Sequence, residues 1–544
     1  MTTKKKKSNK SGETIVESFT LFARWLLGAG VSFYGILILG VLPLYFEQGY
    51  TKIGTNKATF FRAASVKMAY FILPVLAIWV LFRVVALVTD KQKRKEFVPF
   101  AGWQLPDFLL LGYGLSVMLS YLCSDYKSTA LWGTRGWFMG MLPHLILVAI
   151  YFLVSRFAFC AKWLLYLTMP ISFVVCALAI LNRFDCWILP MENSGLPNYI
   201  STVGNINWLC GYLMTVLFIG IGLFWLGAFK KLWQKILLMV YAVVGFAALV
   251  LQASDSGLFA LIFVVSTMFV LSSKSENVEY IKRFWLLGFL FGFSCVLILM
   301  RRIMVPGDLN KTSGFIDLLT QSPCAGVICL LSALGYWYAG RNEKTVLWKK
   351  CARVIRIALP GLIALFALMI VVNTAKPGSL GPLSDQSIFT FNNRWGSNRG
   401  ATWKLGFLCL TEQDALHTIV GVGPDCMVEH LYRGRSAELA AALKEAFPKT
   451  RLTNAHNELL TILVNEGILG LFTYLGFLLT LLRRLLASWE KNPYSAACGL
   501  CLVAYLFNNI WSFQQSLGVS TLFMVLGLGM YFVRAKESPV GKDN

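Results

Sequence analysis

Apolar runs close to twenty residues recur along almost the whole chain, and that recurrence decides what it can fold into. Coiled as a helix, such a run matches the ~30 Å hydrocarbon thickness of a bilayer. Lipid satisfies neither polar side chains nor free backbone groups, so a spanning segment must be helical and apolar all round. Stretches 71–88, 137–154, 212–226 and 284–300 meet that test. Composition agrees: 57% of the 544 residues are hydrophobic and 14% are charged. The mean hydropathy of +0.62 lies well above that of a soluble domain. The sequence therefore predicts an all-α fold, a polytopic transmembrane helix bundle of about fourteen spans. The expected helices cover 21–46, 68–89, 105–123, 137–158, 163–182, 205–226 and 235–253, then 257–272, 284–300, 322–340, 356–373, 458–482, 495–510 and 517–534.

A net charge of +23 could be taken for a nucleic-acid footprint, but its distribution argues against one. Lysine and arginine gather in short clusters between apolar runs, at 4–7, 91–95, 230–235, 282–283, 341–356, 483–491 and 534–542. These fall at the N-terminus and then after every second helix, as the positive-inside bias requires. Roughly 29 basic residues lie on that face, against about 10 in the short loops opposite. Both termini are therefore expected in the cytoplasm. The resulting organisation is a basic tail (1–20), eleven helices (21–373), a large extracytoplasmic loop with short helices (374–457), three more helices (458–535) and a second tail (536–544). The start of the chain has no cleavable-signal pattern. Most of the thirteen cysteines sit in apolar runs without metal-ligand spacing, so neither a disulfide framework nor a zinc site is expected.

Residues 374–457 break the rhythm. At about 84 residues the loop is too long for a simple connection, which marks it as functional. It holds three of the four histidines, His417, His430 and His456. Ser397 or Asn398 can cap a short helix through Cys409, and Ser436–Phe447 reads as an Ala-rich helix stopped by Pro448. Earlier in the chain, Ser254-Asp255-Ser256 makes a tight hairpin between two helices.

Four stretches together carry a resemblance. Ser124 to Gly136 is a short loop with a lone Arg135 before the next helix, and Ser201 to Gly211 contains Gly204-Asn205-Ile206-Asn207 at a helix start. Asn398-Arg399 with Trp403, followed by Gly421-Val422-Gly423-Pro424, opens the large loop. Asn454-Ala455-His456-Asn457, then Glu466-Gly467 and Gly470, closes it. In order and spacing, over roughly residues 105–535, these stretches resemble the O-antigen ligase and O-antigen polymerase superfamily of bacterial membrane glycosyltransferases. The first pair of helices stands as a candidate addition to that pattern. Where many members carry an arginine in the tight hairpin, this chain has Asp255.

The resemblance implies a metal-independent enzyme, without a cofactor, in the bacterial cytoplasmic membrane. It would take a glycan from a polyprenyl (undecaprenyl) diphosphate carrier and join it to a glycan, lipid or protein acceptor at the extracytoplasmic face, in cell-surface polysaccharide synthesis. It also implies His456 and Arg399 as the catalytic pair, with Arg135, Arg394, Asn205, Asn207, Asn457, Trp403 and Glu466 around the diphosphate and glycan.

The residue types suit that chemistry. Arginine pairs bidentately with phosphate and stays charged beside lipid, which favours Arg399 and Arg135, with Arg394, Arg301 and Arg302 in reserve. The plain alternative is arginines that snorkel to headgroups. With Asn454 as N-cap, His456 is expected in the first helical turn, where the positive helix end keeps its ring neutral and able to take a proton. The plain alternative is a histidine that only ties the loop to the membrane domain. His417 and His430 lack such a context and read as structural, and His144 as a buried, hydrogen-bonded histidine. Asn205 and Asn207 read first as helix caps and second as an anion site. Glu466, inside an apolar helix, marks either function or a buried arginine or asparagine partner. Gly467 and Gly470 read as a close-packing pair. No DxD or acidic pair points to a metal, and arginines can stabilise the developing diphosphate charge instead. The runner-up class is a lipid-linked glycan transporter or flippase, against which no internal repeat is found. Ligase and polymerase remain equally open.

Overall fold

The computed structural model describes residues 2–47, 52–96, 98–134, 136–190, 196, 198–307, 314–321, 323–341, 346–433, 436–448 and 451–537. It is an all-α bundle. The long helices are α1 (Thr2–Ile36), α2 (Ile53–Thr89), α3 (Leu105–Cys123), α4 (Met141–Phe157), α5 (Ala161–Arg183) and α6 (Ile206–Trp225). They continue as α7 (Leu232–Leu251), α8 (Asp255–Lys274), α9 (Glu279–Met304), α10 (Cys324–Arg341) and α11 (Val346–Ala375). Four short helices follow in the large loop: α12 (Trp395–Thr411), α13 (Ala415–Val420), α14 (Met427–Arg433) and α15 (Ala437–Ala446). The chain ends with α16 (Glu458–Ala487), α17 (Pro493–Asn508) and α18 (Ser516–Glu537). Each expected range has a helix in its place. Eleven helices among the described residues are long and apolar enough to cross a membrane, and α4 and α17 are shorter apolar helices.

α6 and α18 lie at the centre, buried over 89% and 94% of their apolar windows, whereas the still more apolar α2 and α11 lie at the periphery with 11% and 0%. Close approach to α6 depends on a glycine: a Cβ at Gly220 would meet the Tyr241 ring at 2.5 Å. α17 packs on α6, α16 on α3, α18 on α4, and α9 on α10. A two-residue antiparallel ladder, Tyr199–Ile200 with Gly204–Asn205, leads into α6.

The large loop folds around its own small core, in which Leu405, Leu431, Leu439 and Leu443 pack against Leu460 and Val464 at the start of α16. It joins the bundle where α16 breaks. Gly467 takes φ 69° and ψ −170°, a backbone region essentially reserved for glycine, and a Cβ there would strike the Ile419 carbonyl at 2.3 Å. The break frees carbonyls of Val464 and Asn465, which accept the N–H groups of Val422 (3.1 Å) and Gly423 (3.0 Å). The Ser120 hydroxyl also donates to the Asn465 carbonyl, at 2.6 Å. Gly467 is thus a break point for loop docking, which corrects its reading as half of a close-packing pair. Non-helical backbone amid apolar helices persists because the loop satisfies it.

Candidate functional site

The two ends of the large loop meet. Gly396, Ser397 and Asn398 all have left-handed backbone, so Ser397 and Asn398 form a tight coil before the regular part of α12 rather than a simple cap, and α12 runs on to Thr411. That coil turns Arg399 back on itself. Its Nε donates to the Trp511 carbonyl (3.0 Å) and its Nη1 to the Gly396 carbonyl (2.8 Å). A guanidinium has five N–H donors, and the rest find no protein partner among the described residues. Burial lowers the pKa of Arg399, and the nearby Asp255 opposes that shift.

His456 lies close enough to Arg399 to feel its charge, and Thr402 ties the two together. Its hydroxyl faces both the Arg399 carbonyl and the Ala455 carbonyl, each at 2.9 Å. The structure corrects the placement of His456. Asn457 is the N-cap of α16, its side chain accepting from Leu460 N–H at 2.9 Å, so His456 precedes the helix with φ 50°. Asn454 instead accepts the His456 N–H at 2.7 Å. The imidazole packs edge-on against Phe513, ring centroids 5.0 Å apart. Burial first, and the Arg399 charge second, push its pKa down to about 4. The ring is neutral at pH 7, as expected, but through burial and Arg399 rather than a helix end.

Arg399 marks the polar end of a groove of about 1240 Å³ between α6, α8, α9 and α10. Asn205, Asn207, Ser254, Asp255 and Trp511 share that end. Leu258, Phe259, Ile262, Val265 and Met268 then line it along α8, so it extends about 20 Å at 1.5 Å per residue. Asn205 caps α6 by accepting the Asn207 N–H (2.9 Å), and Asn207 accepts the Ser254 hydroxyl (2.9 Å). Asp255 stands exposed in the first turn of α8, so the polar end carries both signs of charge.

Other candidates lie elsewhere. Arg135 falls outside the described residues. Arg394 is exposed and away from the groove lining. Trp403 stacks on Trp511 (5.5 Å, 21°) and packs against Trp395 (5.4 Å), with its indole N–H buried and unpartnered. Glu466 does not line the groove, and among the described residues neither the arginine nor the asparagine partner considered for it is found: Oε2 is buried without a hydrogen-bond partner there. Arg302 pairs with Asp317 at 3.0 Å, and Arg301 sits over the Phe184 ring. His417 bonds to Asp414 (2.9 Å), and His430 to the Tyr126 hydroxyl (3.3 Å). No group of three His, Cys, Asp or Glu side chains is placed to hold a metal ion among the described residues.

Asp425 is a residue that the sequence reading missed. Its Oδ2 accepts the N–H groups of Thr134 (2.7 Å) and Met139 (3.1 Å), and its carbonyl accepts the Thr134 hydroxyl (2.8 Å). It therefore ties Thr134 and Met139 to the large loop. Burial raises its pKa to about 7, against the two N–H groups, which lower it. The signal available in the sequence was its position directly after Gly423-Pro424. Compared with known proteins, the chain matches no family model, and no curated protein is significantly similar to it.

Proposed function

We propose that the protein is a membrane glycosyltransferase of the O-antigen ligase-polymerase type. It transfers a glycan from a polyprenyl diphosphate to an acceptor hydroxyl at the extracytoplasmic face of a bacterial cytoplasmic membrane. The observation that carries this reading is the long apolar groove ending at Arg399, with a neutral histidine beside it. A prenyl chain fits an elongated apolar channel, and the diphosphate needs a cation where that channel becomes polar. The topology that goes with it has fourteen spans, both termini in the cytoplasm and the 374–457 loop outside.

In this mechanism Arg399 binds the diphosphate and stabilises the charge that develops as the glycosidic C–O bond breaks. His456 takes the acceptor's hydroxyl proton as its oxygen attacks the anomeric carbon. A histidine with a pKa near 4 is a weak base, but the bound diphosphate offsets the Arg399 charge that helps to depress it. Donor binding thus raises the basicity of His456. Asp255 repels a free anion at the groove mouth, which favours a ligand that also fills the apolar channel.

The test is full-length protein in lipid nanodiscs with a polyprenyl-diphosphate oligosaccharide. Growth of the oligosaccharide marks a polymerase, and transfer to an added lipid or protein acceptor marks a ligase. Transbilayer movement of the lipid without turnover would replace this reading with the transporter.

A further inference from the structure

Behind His456, the first turn of α16 meets α4 and the turn after α17 through buried polar side chains. Glu458 is 3% exposed, and its carboxylate accepts from Tyr474 (2.5 Å), Tyr505 (2.9 Å) and Gln514 Nε2 (2.9 Å). The side-chain amide of Asn509 is a fourth donor. The other end of the Gln514 amide, Oε1, lies 3.1 Å from His144 Nε2. His144 is 2% exposed, and its Nδ1 lies 2.9 Å from the Gly140 carbonyl.

The donors and acceptors along this chain of side chains fix how many protons it holds. A backbone carbonyl only accepts, so His144 Nδ1 must carry a proton. An amide oxygen also only accepts, so with Gln514 as placed Nε2 needs a proton too, which makes an imidazolium. Turning the amide over leaves the imidazole neutral, but the Gln514 oxygen then faces a Glu458 oxygen at 2.9 Å. That contact is attractive only when Glu458 is a carboxylic acid. The remaining tautomer, with a bare Nδ1, sets lone pair against lone pair at Gly140. Every arrangement that satisfies all the bonds holds one proton more than a neutral imidazole with a carboxylate.

A cavity of about 30 Å³ adjoins the chain, roomy enough for a water molecule. His144, Glu458, Gln514, Asp425, Asn454 and Glu466 are among its lining residues, and no lysine or arginine is among the described residues that line it. Among the described residues, Asn454 Nδ2 and Glu466 Oε2 are buried without hydrogen-bond partners, in residues 6% and 1% exposed. The other titratable groups facing the chain are Tyr113, at 5.8 Å from the His144 ring, and the hydroxyls of Tyr474 and Tyr505.

We propose that His144 and Glu458, bridged by Gln514 and served by this cavity, form a site that holds one shared proton at neutral pH. That proton locks the wall on which His456 packs, because Phe513 precedes Gln514 and lies edge-on to the His456 ring. Removing it breaks the bridge that Gln514 makes between His144 and Glu458, although the contact of its amide with the Tyr474 hydroxyl at 3.2 Å stays. The site stands whether or not His456 is a base.

With four histidines in the chain, ¹⁵N-histidine NMR of the full-length protein in nanodiscs, assigned with His144→Gln, reads the site directly. One expected result is a doubly protonated His144. The other is a neutral ring with its proton on Nδ1 and a carboxylic-acid infrared band that Glu458→Gln removes. The amide introduced by Glu458→Gln imitates the protonated acid, so that variant keeps His144 neutral and Nδ1-protonated. In the wild type, raising the pH should move the His144 signals and the Glu458 band with one common midpoint. A neutral His144 with no acid band from Glu458, or separate midpoints, overturns the proposal.

Discussion

His456 shows how environment sets what a side chain can do. Its ring is held neutral by burial and by Arg399, so two predictions belong to it. His456→Gln should lower turnover by about 10²–10⁴ while donor binding persists, read as kcat against Kd. A diphosphate analogue should raise the His456 pKa in NMR titration, and an unchanged pKa would break the proposed coupling of Arg399 to His456. The pH dependence of stability has opposite signs at His456 and Asp425. His456 has a folded pKa below its ordinary 6.5, so the unfolded chain binds more protons and stability falls as pH drops from 6.5 towards 4. Asp425 is the reverse. Its folded pKa near 7 exceeds the ordinary 3.8, so stability falls as pH rises across that window. Thermal unfolding between pH 4 and 7 should therefore steepen its decline with rising pH in His456→Gln and flatten it in Asp425→Asn. Arg399 and His456 were singled out by the motifs that carry the resemblance, and the structure brings the two near each other. The roles of Asn454 and Asn457 were not legible in the sequence, because spacing alone does not say which of two asparagines caps a helix. Asp425 and Glu458 escaped notice because their partners come from segments far away in the chain.

At the scale of elements, apolar runs and turn residues located the helices, since a segment facing lipid has few other ways to satisfy its backbone. The helices α13 and α14 were not foreseen. They are six and seven residues long, too short for a periodic pattern to emerge above the loop composition. The break in α16 was also invisible, because a glycine in an apolar run reads equally as a packing site. Its role is testable. Gly467→Ala should cost about 1–3 kcal/mol for the backbone conformation, beyond its collision with Ile419. Unfolding temperature should drop well below that of Gly476→Ala, whose Cβ would meet Leu109 at an ordinary 3.4 Å. Equal losses in both variants would show that the break does not depend on glycine.

At the scale of the whole molecule, the groove joins a polar end at the loop to an apolar channel inside the bundle, and the two ends make different demands on a ligand. Ser266 lies on the lining of α8, half-buried, eleven residues beyond Asp255, which places it about 16 Å along the helix from the polar end. A tryptophan there narrows the channel far from Arg399 and His456. Ser266→Trp should therefore raise KM for a donor with a full-length prenyl chain by about tenfold or more, equivalent to ~1.4 kcal/mol. A donor with the same diphosphate and glycan but a prenyl tail too short to reach Ser266 should be used as well as by the wild type. Ile236→Trp, at an exposed position on α7 away from the groove lining, controls for an added indole on a lipid-facing surface. Should both donors lose equally, the tryptophan acts by disturbing the bundle. Should neither lose, the prenyl chain runs elsewhere, and the groove must be assigned to the acceptor or to bilayer lipid instead.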